Sequence, residues 1–182
     1  MHIVDAAMKL FARVSFDDVT VADIADAAAM TPAAVYYHFA GKEQILLEGI
    51  RAFSAELVQL AQRGVDEALP VGDLMTMLLD HVRAQRTVAS VYFINSAGLH
   101  LALEAHRKTV RAELAELFTE SARRTRRRLP MAEAGVMGAA LVSLLEVSAA
   151  ALLGRERMFK TLGARAVPAA MADLAGRIVG VD

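Results

Sequence analysis

The residues of this 182-residue chain best suited to chemistry stand at the starts of short helices. The densest run is Thr31-Pro32-Ala33-Ala34-Val35-Tyr36-Tyr37-His38. Its first four side chains are small, and a helix entering the major groove of DNA needs a slim N-terminal end. Tyr36, Tyr37 and His38 can reach phosphate oxygens by hydrogen bonds. Thr20 and Lys42 stand at two further helix starts, where unpaired backbone N–H groups suit phosphate. Other chemistries find little support. There is no cysteine, which removes disulfides, thiolate metal sites and cysteine nucleophiles. His100 and His106 are six apart and Glu104 and His106 two apart, so neither pair shares a helix face for a metal. No nucleophile elbow, phosphate-cradling glycine loop or metal motif is present, so no enzyme, metal or cofactor is expected.

The elements positioning these residues all read as helix. Ile3, Ala6, Ala7, Leu10, Phe11 and Val14 form one apolar face. Thr20 caps a second helix of about two turns, with Asp23 as the capping-box acid. Thr31 and Pro32 are a natural N-cap and first residue for a third, with Val35 and Phe39 inward and Gly41 as its stop. From Lys42, the residues Leu46, Ile50, Phe53, Leu57 and Leu60 keep helical spacing, and Gly64 and Pro70 bracket the next turn. Helix is expected throughout from Val71. Leu74, Leu78, His81 and Gln85 share one face. Val110, Leu114, Leu117 and Ser121 mark a long helix ending in Arg123, Arg124, Arg126, Arg127 and Arg128, a cluster suited to the helix macrodipole. A helix apolar nearly all round spans about 132–153, and Pro168 starts the last one, with Met171, Leu174 and Ile178 inward. The expected fold is all-α: a three-helix helix-turn-helix unit over 1–46, then a helical ligand-binding and dimerisation domain over 47–182.

Charge argues the other way. The chain carries −1 overall, but residues 1–50 hold three cations against seven carboxylates, a balance of −4 where a basic face is the usual footprint of DNA binding. The apolar stretch 135–154 contains Glu146 and many small residues, which fits a buried helix of a dimer better than a membrane span. No secretion signal is read at the N-terminus, and a cytoplasmic location is expected.

The run Ile3-Val4-Asp5-Ala6-Ala7, Leu10-Phe11, Phe16, Val19-Thr20-Val21, Ile24-Ala25, Ala28, Thr31 to Phe39, Lys42-Glu43 and Ile45-Leu46 resembles the tetracycline-repressor (TetR) family of bacterial regulators. The resemblance covers about the first 47 residues. It implies that Thr20 contacts phosphate, that Ala33, Ala34 and Tyr37 lie against base edges or sugars, and that Tyr36, His38 and Lys42 hold the DNA backbone. The plainer alternatives are that Tyr36 is a core aromatic, His38 a solvated helix residue and Lys42 an ordinary surface lysine. Two departures stand out. Ser15 replaces a common glycine, which implies a less comfortable first turn, and the sequence starts at Met1-His2, where the family usually carries a basic arm.

The expected function is a repressor that binds double-stranded DNA at a palindromic operator as a homodimer. A small hydrophobic effector then shifts the spacing of its recognition helices. Small residues around Gly138 to Ala151 would let the dimer helices approach closely. The effector pocket is expected to draw on Met75, Met77, His81, Tyr92, Phe93, Asn95, Met137, Ser143 and Glu146, with Glu146 paired, protonated or facing a polar ligand group. Two alternatives remain: a helical dimeric ligand-binding protein with weak DNA binding, and a small helical enzyme.

Overall fold

A computed structural model describes residues 2–96, 98–154 and 166–180, and every regular element among them is helical. Three short helices come first: α1 (His2–Phe11), α2 (Val21–Ala27) and α3 (Pro32–His38). The long α4 (Lys42–Asp66) follows, then α5 (Val71–Ala84), α6 (Arg86–Ser90) and a π-helical turn over Val91–Asn95. The body is completed by α7 (Leu101–Thr125), α8 (Met131–Leu152) and α9 (Ala166–Val179).

Local signals set the first elements. Thr20 accepts a hydrogen bond from the Asp23 backbone N–H while its own N–H donates to the Asp23 carboxylate, a complete capping box. Thr31 caps α3 and Pro32 supplies the preset φ of a first turn. Ala7, Phe11, Ile24, Ala25, Val35, Ile45 and Leu46 bury together between α1, α2, α3 and the start of α4. Along α4 the buried stripe continues through Ile50, Phe53, Leu57 and Ala61 into the body. The division expected after residue 46 therefore falls inside one continuous helix. In the body, α7 packs on α8 and α4, and α5 packs on α9.

Several expectations need correction. Val14 is exposed, because α1 ends at Phe11. Gly64 lies inside α4, not in a turn, and is buried where a Cβ would meet Leu74 and Met77. Helix α3 stops at His38, with extended backbone at Phe39. Ser15 does not have a positive φ; the left-handed residue of the helix-turn-helix is Ala29, at φ 53°. The chain breaks at Gln85 and again after the π turn, where continuous helix was expected. On α9, Val167, Ala175 and Val179 are buried, while Leu174 is exposed and Met171 and Ile178 are half-buried. Gly138 serves the packing of α7 on α8 within the chain: its Cβ would collide with the Ala115 carbonyl oxygen and the Thr119 hydroxyl.

Ala29 and Ala68 occupy equivalent places. After α2, the Met30 N–H reaches Ala25 O and the Ala29 N–H reaches Asp26 O; after α4, Leu69 reaches Gly64 O and Ala68 reaches Val65 O. Both are Schellman ends whose left-handed position usually holds glycine. Ala29→Gly and Ala68→Gly should each stabilise the protein by roughly 0.5–1 kcal/mol in urea denaturation. Gly138→Ala should destabilise it by about 1–3 kcal/mol, since the new methyl must push α7 and α8 apart.

Candidate functional site

The outer face of α3 gathers the residues read from sequence as DNA-binding. Val35 is fully buried and anchors the helix. Thr31, Pro32, Ala33 and His38 are exposed and Ala34 is half-buried. Tyr37 is 86% exposed and Tyr36 57%, so Tyr36 is not a core aromatic. The Tyr37 and His38 rings meet edge to face at 5.1 Å, which limits the freedom of both. The helix thus offers small side chains at its start and two phenol hydroxyls and an imidazole further along.

Thr20 and Lys42 are otherwise engaged. The Thr20 hydroxyl donates to Asp23 at 2.6 Å, so a phosphate would compete with a carboxylate already in place. The Lys42 ammonium donates to the carbonyl oxygens of Phe16, Asp17 and Val19 at 2.8, 3.1 and 2.8 Å. It also lies 4.6 Å from the centroid of the Phe16 ring. An ammonium has three protons, and all three are used. Lys42 is therefore a strut joining the start of α4 to the α1–α2 turn, and its side chain has no donor left for DNA. Its backbone N–H, at the N-terminus of α4, is what remains of that expectation.

The nine residues read as a ligand pocket do not line one cavity. His81, Tyr92 and Phe93 converge on Phe53, with ring centroids 5.5, 5.4 and 6.1 Å away. Met75 is buried in the core, and Met77 fills the space beside Gly64. Asn95 turns away, donating to the Phe11 carbonyl at 2.8 Å. Met137 is half-buried. Ser143 is exposed on α8, with its hydroxyl bonded to Ala139 O. Glu146 is paired, as one of the expectations for it held, and its partner is Arg111. Burial pushes the Tyr92 hydroxyl up to about 12.

Arg107 escaped the sequence reading. Its guanidinium lies 4.7 Å from the Tyr92 ring centroid and donates to Tyr92 O and Ser96 Oγ. It therefore clamps the π turn onto α7. Burial lowers its pKa, and its Nε has no hydrogen-bond partner. Asn95 carries the same turn onward to the last residue of α1. A charged residue in a helix as polar as α7 gives no sign of such a role.

The Thr20 hydroxyl and backbone N–H hold the Asp23 carboxyl below its ordinary 3.8. A depressed carboxyl contributes stability above its unfolded value and loses it as pH falls through the lowered one. Thr20→Ala should return Asp23 towards 3.8 in an NMR titration and move the acid loss of α2 to higher pH. Lys42→Met leaves three carbonyls without their donor and should cost about 1–3 kcal/mol in urea denaturation.

Residues 3–48 match the bacterial regulatory proteins of the tetR family. Over 95 residues the chain is 30% identical to the HTH-type transcriptional repressor KstR2 of Rhodococcus jostii strain RHA1. That match covers 50% of this chain and spans 47%, about half, of the length of the relative. Among solved structures, the TetR family transcriptional regulator PfmR from Thermus thermophilus superposes with a TM-score of 0.75 at 22% identity, over 96% of this chain and 94% of that one. The transcriptional regulator FadR from Bacillus subtilis, solved in complex with stearoyl-CoA, gives a TM-score of 0.75 at 14% identity, over 100% and 98% of the two chains. The match to the tetR family of bacterial regulatory proteins covers the N-terminal helix-turn-helix unit, and the chain shares the all-helical fold of these solved regulators over nearly its whole length.

Proposed function

We propose that this protein is a cytoplasmic transcriptional repressor that binds a palindromic operator as a homodimer and releases it when a small hydrophobic molecule binds the helical body. The observation that carries the reading is the outer face of α3. It combines a slim start at Thr31 to Ala34 with the exposed Tyr36, Tyr37 and His38, inside a unit matching the tetR family. A relative named as a repressor and a fold neighbour that holds stearoyl-CoA support the two halves of the proposal.

The dimer rests on α8. Ala132, Val136, Ala139, Ala140, Ser143 and Val147 are all exposed and repeat at helical spacing, so one long face of the helix is apolar or weakly polar and uncovered. An 18-residue stretch of α8 has mean hydropathy 1.8 with only 33% of its residues buried. A second copy related by a two-fold axis covers such a face with itself. Leu174 of α9 is exposed as well and extends the contact.

Release follows from the links between body and DNA unit. Helix α4 is one, and the chain from Arg107 through the π turn to Asn95 and Phe11 is another. A ligand entering beside Phe53 and Tyr92 must displace packed aromatic rings, because the two side chains are buried. That rearrangement moves the π turn and, with it, the end of α1, shifting the population toward a spacing that does not fit both half-sites.

A dimeric ligand-binding protein with weak DNA affinity is the second reading. It is favoured by the −4 balance of residues 1–50 and by the lack of any Lys, Arg, Asp or Glu in α3. Selection from random duplex DNA at low salt separates the two. Enrichment of a palindrome establishes the repressor reading, and no enrichment from a confirmed dimer establishes the second. On the selected site, Tyr37→Ala should weaken binding by about 1–3 kcal/mol per half-site with an unchanged melting temperature. Val136→Glu should turn the dimer into a folded monomer in sedimentation velocity.

A further inference from the structure

Helix α8 carries no basic residue in its last turn, although the carbonyl end of a helix attracts positive charge. That charge comes from elsewhere in the chain. Arg86, the first residue of α6, donates from Nη1 to Leu152 O at 3.0 Å and from Nη2 to Leu153 O at 3.1 Å. These oxygens are among the last carbonyls of α8, which have no acceptor role within their own helix. A lysine or arginine in the last turn would have met the same need locally. The chain instead uses a guanidinium 66 and 67 positions away, whose planar fork fixes direction as well as charge.

The segment supplying this guanidinium is short. Helix α6 has five residues, and Gln85 before it makes no side-chain cap. Beyond α6, the π turn is clamped onto α7 by Arg107 and reaches α1 through Asn95. Residues 86–96 therefore form a bracket with an arginine at each end, Arg86 on α8 and Arg107 from α7. The bracket packs on α1. Among the described residues, Arg86 is the one side chain whose hydrogen bonds join the bracket to the end of α8.

The geometry points to Arg86 as a positioning residue: by tying the end of α8 to α6, it sets how the DNA-binding unit stands relative to the dimer axis, and hence the distance between the two recognition helices. The inference rests on the homodimer proposed above, with α8 at its centre. Arg86 belongs neither to α3 nor to the uncovered face of α8, so its loss removes no residue from either surface. Without it the unit keeps its fold and its junction through α4, but swings over a wider range against the body.

The test uses the full chain and no DNA, so its result is independent of whether an operator exists. The chain has no cysteine, so one introduced cysteine places one spin label on each protomer. Double electron–electron resonance would measure the distance between protomers from Ala22→Cys, exposed on α2, and separately from Ala112→Cys, exposed on α7. Arg86→Met should make the α2 distribution roughly twice as wide and leave the α7 distribution unchanged. Arg86→Lys keeps the charge and a donor and should recover part of the narrowing. Arg83→Met removes a nearby exposed arginine, paired with Asp80 on its own helix, and should change neither distribution. Circular dichroism melts and sedimentation velocity check that each variant folds and dimerises. If Arg86→Met does neither, Arg86→Lys decides: an α2 distribution wider than in the parent supports the inference, and an equal one sinks it. Equal α2 widths with and without Arg86, equal broadening at both labels, or the same broadening from Arg83→Met overturns the inference and leaves the homodimer standing. No dipolar coupling in the parent overturns the homodimer and the inference with it.

Discussion

One helix joins the N-terminal unit to the body through a single continuous core, and the rest of the molecule is arranged around that constraint. The buried face of α4 begins with Ile45, Leu46 and Ile50 among the first three helices and runs on through Phe53, Leu57 and Val65 into the body. No hinge residue interrupts it: Gly49 and Gly64 are both occupied by neighbouring side chains, Met8 at one and Leu74 with Met77 at the other. Lys42 fixes the near end by three carbonyls and the Phe16 ring. At the far end, Arg124 donates to Val65 O. A helix held at both ends transmits rotation rather than absorbing it, which is what the proposed dimer would demand of it.

The electrostatics of the DNA-binding unit follow from the same bonding. Its one lysine at a helix start is committed to structure, and its capping acid sits beside the threonine that would otherwise meet a phosphate. What remains on the outer face of α3 is free of lysine, arginine and carboxylates and offers hydroxyls, an imidazole and backbone N–H groups. Such a surface favours specific contacts over general attraction to the polyanion, and the affinity of the proposed dimer would then depend on engaging both half-sites.

The helix-turn-helix was legible because its signals are local. Thr20 with Asp23, and Thr31 with Pro32, act within three residues of each other, and the alternation of Val35 with Tyr36 and Tyr37 states which way α3 faces. The role of Lys42 was not legible, since its acceptors lie 23 to 26 residues away. The breaks at Gln85 and after Asn95 carry no proline, and the π turn is imposed by Arg107 from a different helix. On α8 the apolar residues surround the axis, so periodicity gives no direction. That is why Ser143 was assigned to a pocket, although it lies on the uncovered outer face, and why Gly138 was assigned to the dimer, although it packs against Ala115.

The aromatic residues have an optical consequence. The chain contains no tryptophan and three tyrosines. Two of them, Tyr36 and Tyr37, stand on the exposed face of α3, and the third, Tyr92, is buried beside Phe53 and Arg107 in the body. Intrinsic ultraviolet emission therefore arises from both ends of the molecule without any label. Quenching of the exposed pair reports contact at the recognition helix, and a spectral change in the shielded one reports rearrangement around the π turn. Unmodified protein can thus be followed at both places in a single cuvette.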